Sequence, residues 1–313
     1  MIQRGQTIHV KVPASSANLG PGFDSLGLAL PLYLTVQVSL AKRDLILVYG
    51  DHLAGLPLDS SNLIYQTMQF FAEKIEQKLP PIAIKIESEI PLSRGLGSSG
   101  AAIVAGLLAA NELFHRNKDK REILQYAAKL EGHADNVAAS IFGGLVVTAW
   151  DGEKARAESF PIADSLQVLL AVPNYTLSTN TARKAIPTMI PVKDAAFNVG
   201  NVSLLVSYFI TGQFGKIPFA MRDRLHQPYR QTVVKGLERV IQDMNERALW
   251  GAALSGAGPT LILFLQSNQI HEAEEFIRQI EVEEGVEFDI LACPIENEGA
   301  EILIETIETS SLV

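Results

Sequence analysis

A chain of 313 residues, 47% hydrophobic and 19% charged, can bury a large core and has room for two domains or one big one. Its formal net charge of −9 excludes the basic footprint of a nucleic-acid binder, so an anionic ligand must be held by local devices, with a metal ion to help. No apolar run reaches the 18 or so residues of a membrane span, residues 1–6 lack the apolar region of a signal peptide, and the single cysteine, Cys293, excludes an internal disulfide; the expectation is a cytoplasmic protein.

Residues 7–12 alternate as an opening strand and deliver residues 13–24, rich in Gly, Pro and Ser, which read as a loop. Asn18 and Asp24 in it present an amide and a carboxylate to a polar ligand, or else the loop is a plain connection. Strand patterns follow at 34–40 and 45–49. Asp59, Ser60 and Ser61 then supply cap chemistry for a helix that begins near Asn62 and places Leu63, Ile64, Met68, Phe71 and Ile75 on one face.

After an alternating strand at 82–88 comes the stretch the rest is organised around: Pro91, Leu92, Ser93, Arg94, Gly95, Leu96, Gly97, Ser98, Ser99, Gly100 and Ala101, running into an apolar helix that continues through Leu113. Glycines permit φ > 0 and close backbone approach, and a helix N-terminus offers unpaired N–H groups and the positive end of the macrodipole. This is an anion site suited to phosphate. The spacing Gly95-x-Gly97-x-x-Gly100 also fits the dinucleotide fingerprint, but the strand before it alternates and Pro91, Ser93 and Arg94 intervene. A Walker A loop would need Lys and Ser/Thr after Gly100, and the catalytic motifs of protein kinases do not occur.

A helix over about 121–130 ends in a polar cluster of Glu131, His133, Asp135 and Asn136, followed by a strand over 145–150. A carboxylate close to a phosphate loop suits Mg²⁺, which takes one or two carboxylates plus phosphate oxygens. The polar residues 151–160 mark a domain boundary, and 166–172 is an apolar strand. Helical patterning covers 199–210, and Arg183 and Arg230 are the cations suited to clamp a carboxylate. An amphipathic helix over about 231–249 leads to a second Gly-rich turn, 251–260, that brings backbone close beside the site. A strand at 261–265, a helix at 271–282 and strands at 286–293 and 301–305 complete a βαββ-like tail.

Residues 13–24, 91–101 and 254–259, in that order and separation, resemble the three motifs of the GHMP small-molecule kinases. Within that superfamily the first motif, the segment 133–136 and Pro228, Tyr229 and Arg230 are most similar to the homoserine kinases. The resemblance implies an α+β, two-domain GHMP kinase fold: an ATP-binding domain of the ribosomal protein S5 domain 2-like kind over residues 1–155 and a ferredoxin-like domain over 156–313, with the site between them. It also implies a homodimer and the ATP-dependent phosphorylation of L-homoserine to O-phospho-L-homoserine in threonine biosynthesis. By the same resemblance residues 91–101 wrap the ATP phosphates, Asn62 lies near the adenine, and Ser98 and Glu131 hold Mg²⁺. Asn18, Asp24, His133, Asn136, Arg183 and Arg230 surround homoserine, Asn136 orienting the hydroxyl where related kinases carry an aspartate, with Asp135 a second candidate base. The rival expectations are a GHMP kinase acting on mevalonate or a sugar, and a non-catalytic nucleotide-binding module of the same fold.

Overall fold

The computed structural model describes residues 1–244 and 251–306. Two long strands, β1 (Gln6–Asn18) and β2 (Gly22–Leu40), pair antiparallel from Thr7 opposite Ser39 to Asn18 opposite Gly22. β3 (Leu45–Tyr49) runs parallel to β4 (Ile82–Ser88), which adds antiparallel to β2; β5 (Leu145–Trp150) joins β2 around Leu26, and β6 (Ala155–Phe160) joins β5. Four helices complete this layer: α1 (Leu63–Lys74), α2 (Ser98–Leu113), α3 (Lys120–Glu131) and α4 (Asp135–Phe142). α2 and α4 pack directly on β1 and β2, and α1 and α3 pack on α2. As its sequence requires, α2 is buried on nearly every side, from Ile103 and Val104 to Leu113.

The expectation of a loop over 13–24 is corrected: only residues 19–21 turn, and the rest is strand. Ser, Ala and Pro have little strand propensity, but their small side chains let the helices sit on the strand: Ser140 Oγ of α4 donates to the Pro13 carbonyl at 2.9 Å, and the Ser15 N–H donates to the Leu96 carbonyl at 3.2 Å. α4 was not anticipated; Gly132, left-handed at φ 84°, ends α3 and frees the chain to start a new helix three residues later.

The second layer is an antiparallel sheet of β7 (Gln167–Pro173), β8 (Gly251–Leu254), β9 (Leu261–Leu265) and β10 (Phe288–Pro294) in the order β10-β7-β9-β8. α5 (Thr179–Lys184), α6 (Val192–Ile210), α7 (Ile217–Ala220), α8 (Gln227–Arg230) and α9 (Leu237–Met244) lie between its first two strands, and α10 (Ile270–Glu284) between its last two. This is the split β-α-β-β-α-β plan. The helix expected over 231–249 starts only at Leu237, because Gly236 at φ 76° interrupts it; the end of that expected helix lies outside the described residues. α6 starts earlier than expected, at Val192 behind Pro191.

The expected βαββ tail is also corrected. The last strand, β11 (Glu301–Thr306), leaves the second sheet and pairs with β1, Gln6 opposite Thr306. Residues 155–160, read as a polar boundary, are β6 of the first sheet, so a division between residues 155 and 156 cuts that strand after its first residue.

Candidate active site

One cleft brings together most of the residues singled out in the sequence. Asn18, Asp24, Ser93, Gly95, Gly97, Ser98, Ser99, Glu131, His133, Asn136, Arg183 and Arg230 line it, joined by Asp135, by Leu177, Ser178 and Thr179, and by Gly256, Ala257 and Gly258 of the second Gly-rich turn.

The N-terminus of α2 opens into the cleft without a capping side chain, since its N-cap is Gly97 at φ 69°. Its first turn carries no acidic residue, so its free N–H groups stay available to an anion. The glycines are needed as much for loop-on-loop packing as for a ligand. A Cβ on Gly95 would lie 2.3 Å from the Ser255 carbonyl oxygen, and one on Gly97 would lie 2.1 Å from Ser15 Oγ. Arg94 does not reach toward the cleft's anion site: its Nε donates to the Pro173 carbonyl at 2.9 Å and its Nη1 to the Leu92 carbonyl, tying the loop to the second sheet. Pro91, Leu92, Leu96, Gly100 and Ala101 stand behind the lining, Leu96 fully buried as the loop's anchor.

Asn62 is not brought into the cleft. It is 2% exposed, with Oδ1 accepting from the Ile64 N–H at 3.0 Å and Nδ2 donating to the Pro57 carbonyl at 2.9 Å, so its amide serves as the cap of α1.

Asn18 lines the cleft, but both ends of its amide are engaged by the protein. Nδ2 donates to the Gly256 carbonyl at 2.7 Å, and Oδ1 accepts from the Asp24 N–H at 3.0 Å. Asn18 thus braces the β1–β2 turn against the second Gly-rich turn while it lines the cleft. Asn18 at φ 72° and Asp24 at φ 53° hold left-handed backbone, which short polar side chains tolerate.

Asp24 and Arg183, expected at opposite ends of a bound amino acid, are paired with each other. Arg183 Nη1 and Nη2 donate to the two carboxylate oxygens at 3.0 and 2.7 Å. This fork-to-fork bond is the main reason the Arg183 guanidinium is held above its ordinary pKa. Arg230 is 1% exposed and donates to the Gly256 carbonyl at 3.0 Å and to the Ala182 carbonyl at 3.3 Å. Among the described residues it has no carboxylate within ion-pair distance. Burial first, and the nearby Arg183 charge second, pull its pKa down to about 10. A cation so placed gains from an incoming anion.

Glu131 accepts from Ser99 Oγ at 2.7 Å and lies 3.9 Å from His133 Nε2. The serine hydrogen-bonded to Glu131 is Ser99; Ser98, expected with Glu131 to hold Mg²⁺, lines the same cleft. Among the described residues no three His, Cys, Asp or Glu side chains stand together to hold a metal unaided. One carboxylate with serine hydroxyls beside an anion-binding helix end does suit Mg²⁺, which takes its remaining ligands from phosphate and water.

His133 Nδ1 sits 2.6 Å from Asp135 Oδ1, which also accepts the Asn136 N–H at 2.8 Å. Burial alone would lower the His133 pKa, but the Asp135 hydrogen bond and charge, with Glu131 and Asp24 behind, outweigh it and raise the value above normal. A raised folded-state pKa stabilises the fold fully below the unfolded histidine value near 6.5 and loses that contribution as pH rises through the folded value. The stability advantage of the parent over His133→Gln, read from urea midpoints, should therefore be greatest in mildly acidic buffer and shrink as pH climbs past the raised value. A pH-independent gap would show that the ring's charge is not engaged. Asn136, 8% exposed, donates its amide to Ser15 Oγ at 3.0 Å, a partner on β1 that sequence spacing gave no means of finding.

Residues 62–144 match the family of the GHMP kinases N terminal domain. The chain is 41% identical over 295 residues to the homoserine kinase of Solibacter usitatus, covering 94% of this chain and 96% of that protein. It is 40% identical over 300 residues to the homoserine kinase of Caldanaerobacter subterraneus subsp. tengcongensis, covering 96% of each. The crystal structure of homoserine kinase from Cytophaga hutchinsonii shares the fold, with a TM-score of 0.85 at 24% identity over 97% of this chain and 99% of that one. With the motifs gathered in one cleft and this likeness running nearly end to end, the chain belongs to the homoserine kinase family of the GHMP kinases.

Proposed function

We propose that the cleft transfers the γ-phosphoryl group of ATP to the side-chain hydroxyl of L-homoserine, giving ADP and O-phospho-L-homoserine. The observation that carries this reading is the nearly full-length likeness to homoserine kinases, borne by a chain whose cleft sets an anion-binding helix end beside a carboxylate and two arginines. We further propose that the N-terminal half binds ATP and the C-terminal half contributes to the homoserine site, and that the chain works as a homodimer in the cytoplasm, in threonine biosynthesis.

Phosphoryl transfer through a loose transition state asks for positioning and charge neutralisation more than for a strong base. The free N–H groups at the start of α2 receive the phosphates. Glu131 with Ser98 or Ser99 would hold Mg²⁺, which when bound neutralises phosphate charge. Asn136 orients the hydroxyl; an amide cannot take the proton, which passes to phosphate or water. Asp135 is a poor base while it accepts from both His133 and the Asn136 N–H. Arg183 and Arg230 take the carboxylate and Asp24 the ammonium, so homoserine would enter by exchanging its own charges for those of the Asp24–Arg183 pair.

Measuring ADP release with homoserine, mevalonate, galactose and shikimate tests the reading: homoserine alone should be turned over well. Preference for mevalonate or galactose would move the protein to another branch of the superfamily, and no release with any acceptor would leave a non-catalytic module.

Asp24→Asn tests the ammonium partner. The pair is about one-third exposed, 38% for Arg183 and 36% for Asp24, so its loss should cost less than the 3–5 kcal/mol of a buried pair and more than the fraction of a kcal/mol of a surface one. About 2 kcal/mol, roughly thirtyfold in kcat/KM for homoserine, is expected, with the KM for ATP nearly unchanged. Equal losses for both substrates would remove Asp24 from the amino-acid pocket.

A further inference from the structure

Besides the Gly256 and Ala182 carbonyls, Arg230 meets a histidine to which the proposed transfer gives no part. His226, immediately before α8, is fully buried, and its two ring nitrogens meet opposite kinds of partner. Nε2 lies 2.7 Å from the Gly20 carbonyl oxygen and 3.5 Å from a carboxylate oxygen of Asp223. Both are acceptors, so Nε2 carries the proton. Nδ1 lies 3.2 Å from Arg230 Nη1, which can only donate, so Nδ1 presents its lone pair. The ring is thereby fixed as one neutral tautomer, since an imidazolium would turn an N–H against the guanidinium. Burial, the largest influence, lowers the His226 pKa in keeping with this, Arg230 adding to it and Asp223 opposing.

The surroundings hold the ring still. Asp223 accepts the N–H groups of Leu225, His226 and Gln227 at 2.8, 3.0 and 2.6 Å and the Asn198 amide at 2.7 Å. Phe23 stacks on the ring at 5.3 Å, and the same Phe23 lies under both Arg183 and Arg230. Gly20 sits in the turn that leads, four residues on, to Asp24; a Cβ there would meet the Met221 carbonyl oxygen at 2.5 Å, so the turn is pressed against the segment that precedes His226.

We infer that His226 is a positioning residue for the amino-acid end of the cleft: its Nε2–H ties down the turn that carries Asp24, and its Nδ1 lone pair aims Arg230 at the substrate carboxylate. The inference rests on the homoserine reading above and adds to it a buried neutral imidazole that sets the geometry of a cation it does not neutralise. A hydrogen bond to a charged group corresponds to about 10- to 100-fold in affinity.

The test compares His226→Asn, His226→Gln and His226→Phe in the full chain, measuring kcat and the KM for homoserine and for ATP separately, with thermal melting alongside. His226→Gln and His226→Phe should raise the KM for homoserine by about 10- to 100-fold while the KM for ATP stays within about twofold. His226→Asn, whose amide oxygen can stand where Nδ1 stands, should recover most of the loss. Equal homoserine KM values in all three variants, or an ATP KM that rises in step, would overturn the inference; if His226→Phe does not fold, the Asn and Gln pair decides alone. In the parent protein, ¹⁵N NMR at neutral pH should find the His226 ring neutral and protonated on Nε2, and an Nδ1–H tautomer or an imidazolium would sink the inference whatever the substrate. A parent protein that leaves homoserine untouched would instead bring down the proposed function, and the assignment of Arg230 with it.

Discussion

Gly97→Val is expected to abolish ATP binding, with a loss on the order of a thousandfold or more in kcat/KM. Two costs add. A β-branched residue at φ 69° is strained by roughly 1–3 kcal/mol, and its Cβ would sit 2.1 Å from Ser15 Oγ and 3.1 Å from Asn136 Nδ2, so α2 must lift from β1 or the loop must unwind. Either movement displaces the helix end proposed to receive phosphate. Gly132→Ala is the control. Gly132 is also left-handed, at φ 84°, but nothing lies within 4 Å of the place a methyl group would take there, so the change should cost about 1–2 kcal/mol of stability and leave nucleotide binding alone. Calorimetry that finds ATP bound normally by folded Gly97→Val protein would dismiss the loop as the phosphate cradle.

If Glu131 holds Mg²⁺ as proposed, Glu131→Gln should lower kcat by on the order of a hundredfold or more, because removing the charge of a metal ligand removes several kcal/mol of transition-state stabilisation. The fold should be nearly untouched: a glutamine oxygen can accept the Ser99 hydroxyl as the carboxylate does at 2.7 Å. Melting within a few degrees of the parent, together with a higher Mg²⁺ requirement, would mark the loss as electrostatic. Near-normal turnover at ordinary Mg²⁺ would shift the ligand to another carboxylate of the cleft, Asp24 or Asp135.

What could be read in advance was whatever one segment decides by itself. The period of α1, the all-round apolar character of α2, the glycines opening it and the alternation of β4 are local signals, and each stands in the fold where it was expected, except that Leu63, counted on the apolar face of α1, is exposed. What stayed hidden depends on a distant partner. Residues 13–18 become strand because α2 and α4 need small side chains beneath them, and nothing within 13–18 reveals that. Asn18 was visible as a polar residue in a turn, but that its amide donates to the Gly256 carbonyl, 238 positions away, follows only from the juxtaposition of the two Gly-rich turns. Asp24 and Arg183 each suggested one end of a zwitterion; their mutual pairing across 159 positions could not be foreseen from either. Asn62 was expected near the adenine, with Asp59, Ser60 and Ser61 supplying the cap; its own side chain is the cap, accepting from the Ile64 N–H.

The return of β11 to the first sheet has a consequence for how the chain is made. β1 leaves the ribosome well before its outer neighbour, since Thr306, opposite Gln6, follows it by 300 residues. At about 5–20 residues per second, β1 waits roughly 15–60 s with one edge of unsatisfied N–H and C=O groups facing outward, the circumstance in which nascent strands find each other. A fragment ending near residue 160 would keep that bare edge permanently. Halves of this enzyme prepared separately should therefore associate through β1, and a synthetic peptide spanning 301–306 should keep the N-terminal half in solution by occupying the place it would otherwise offer to a second copy.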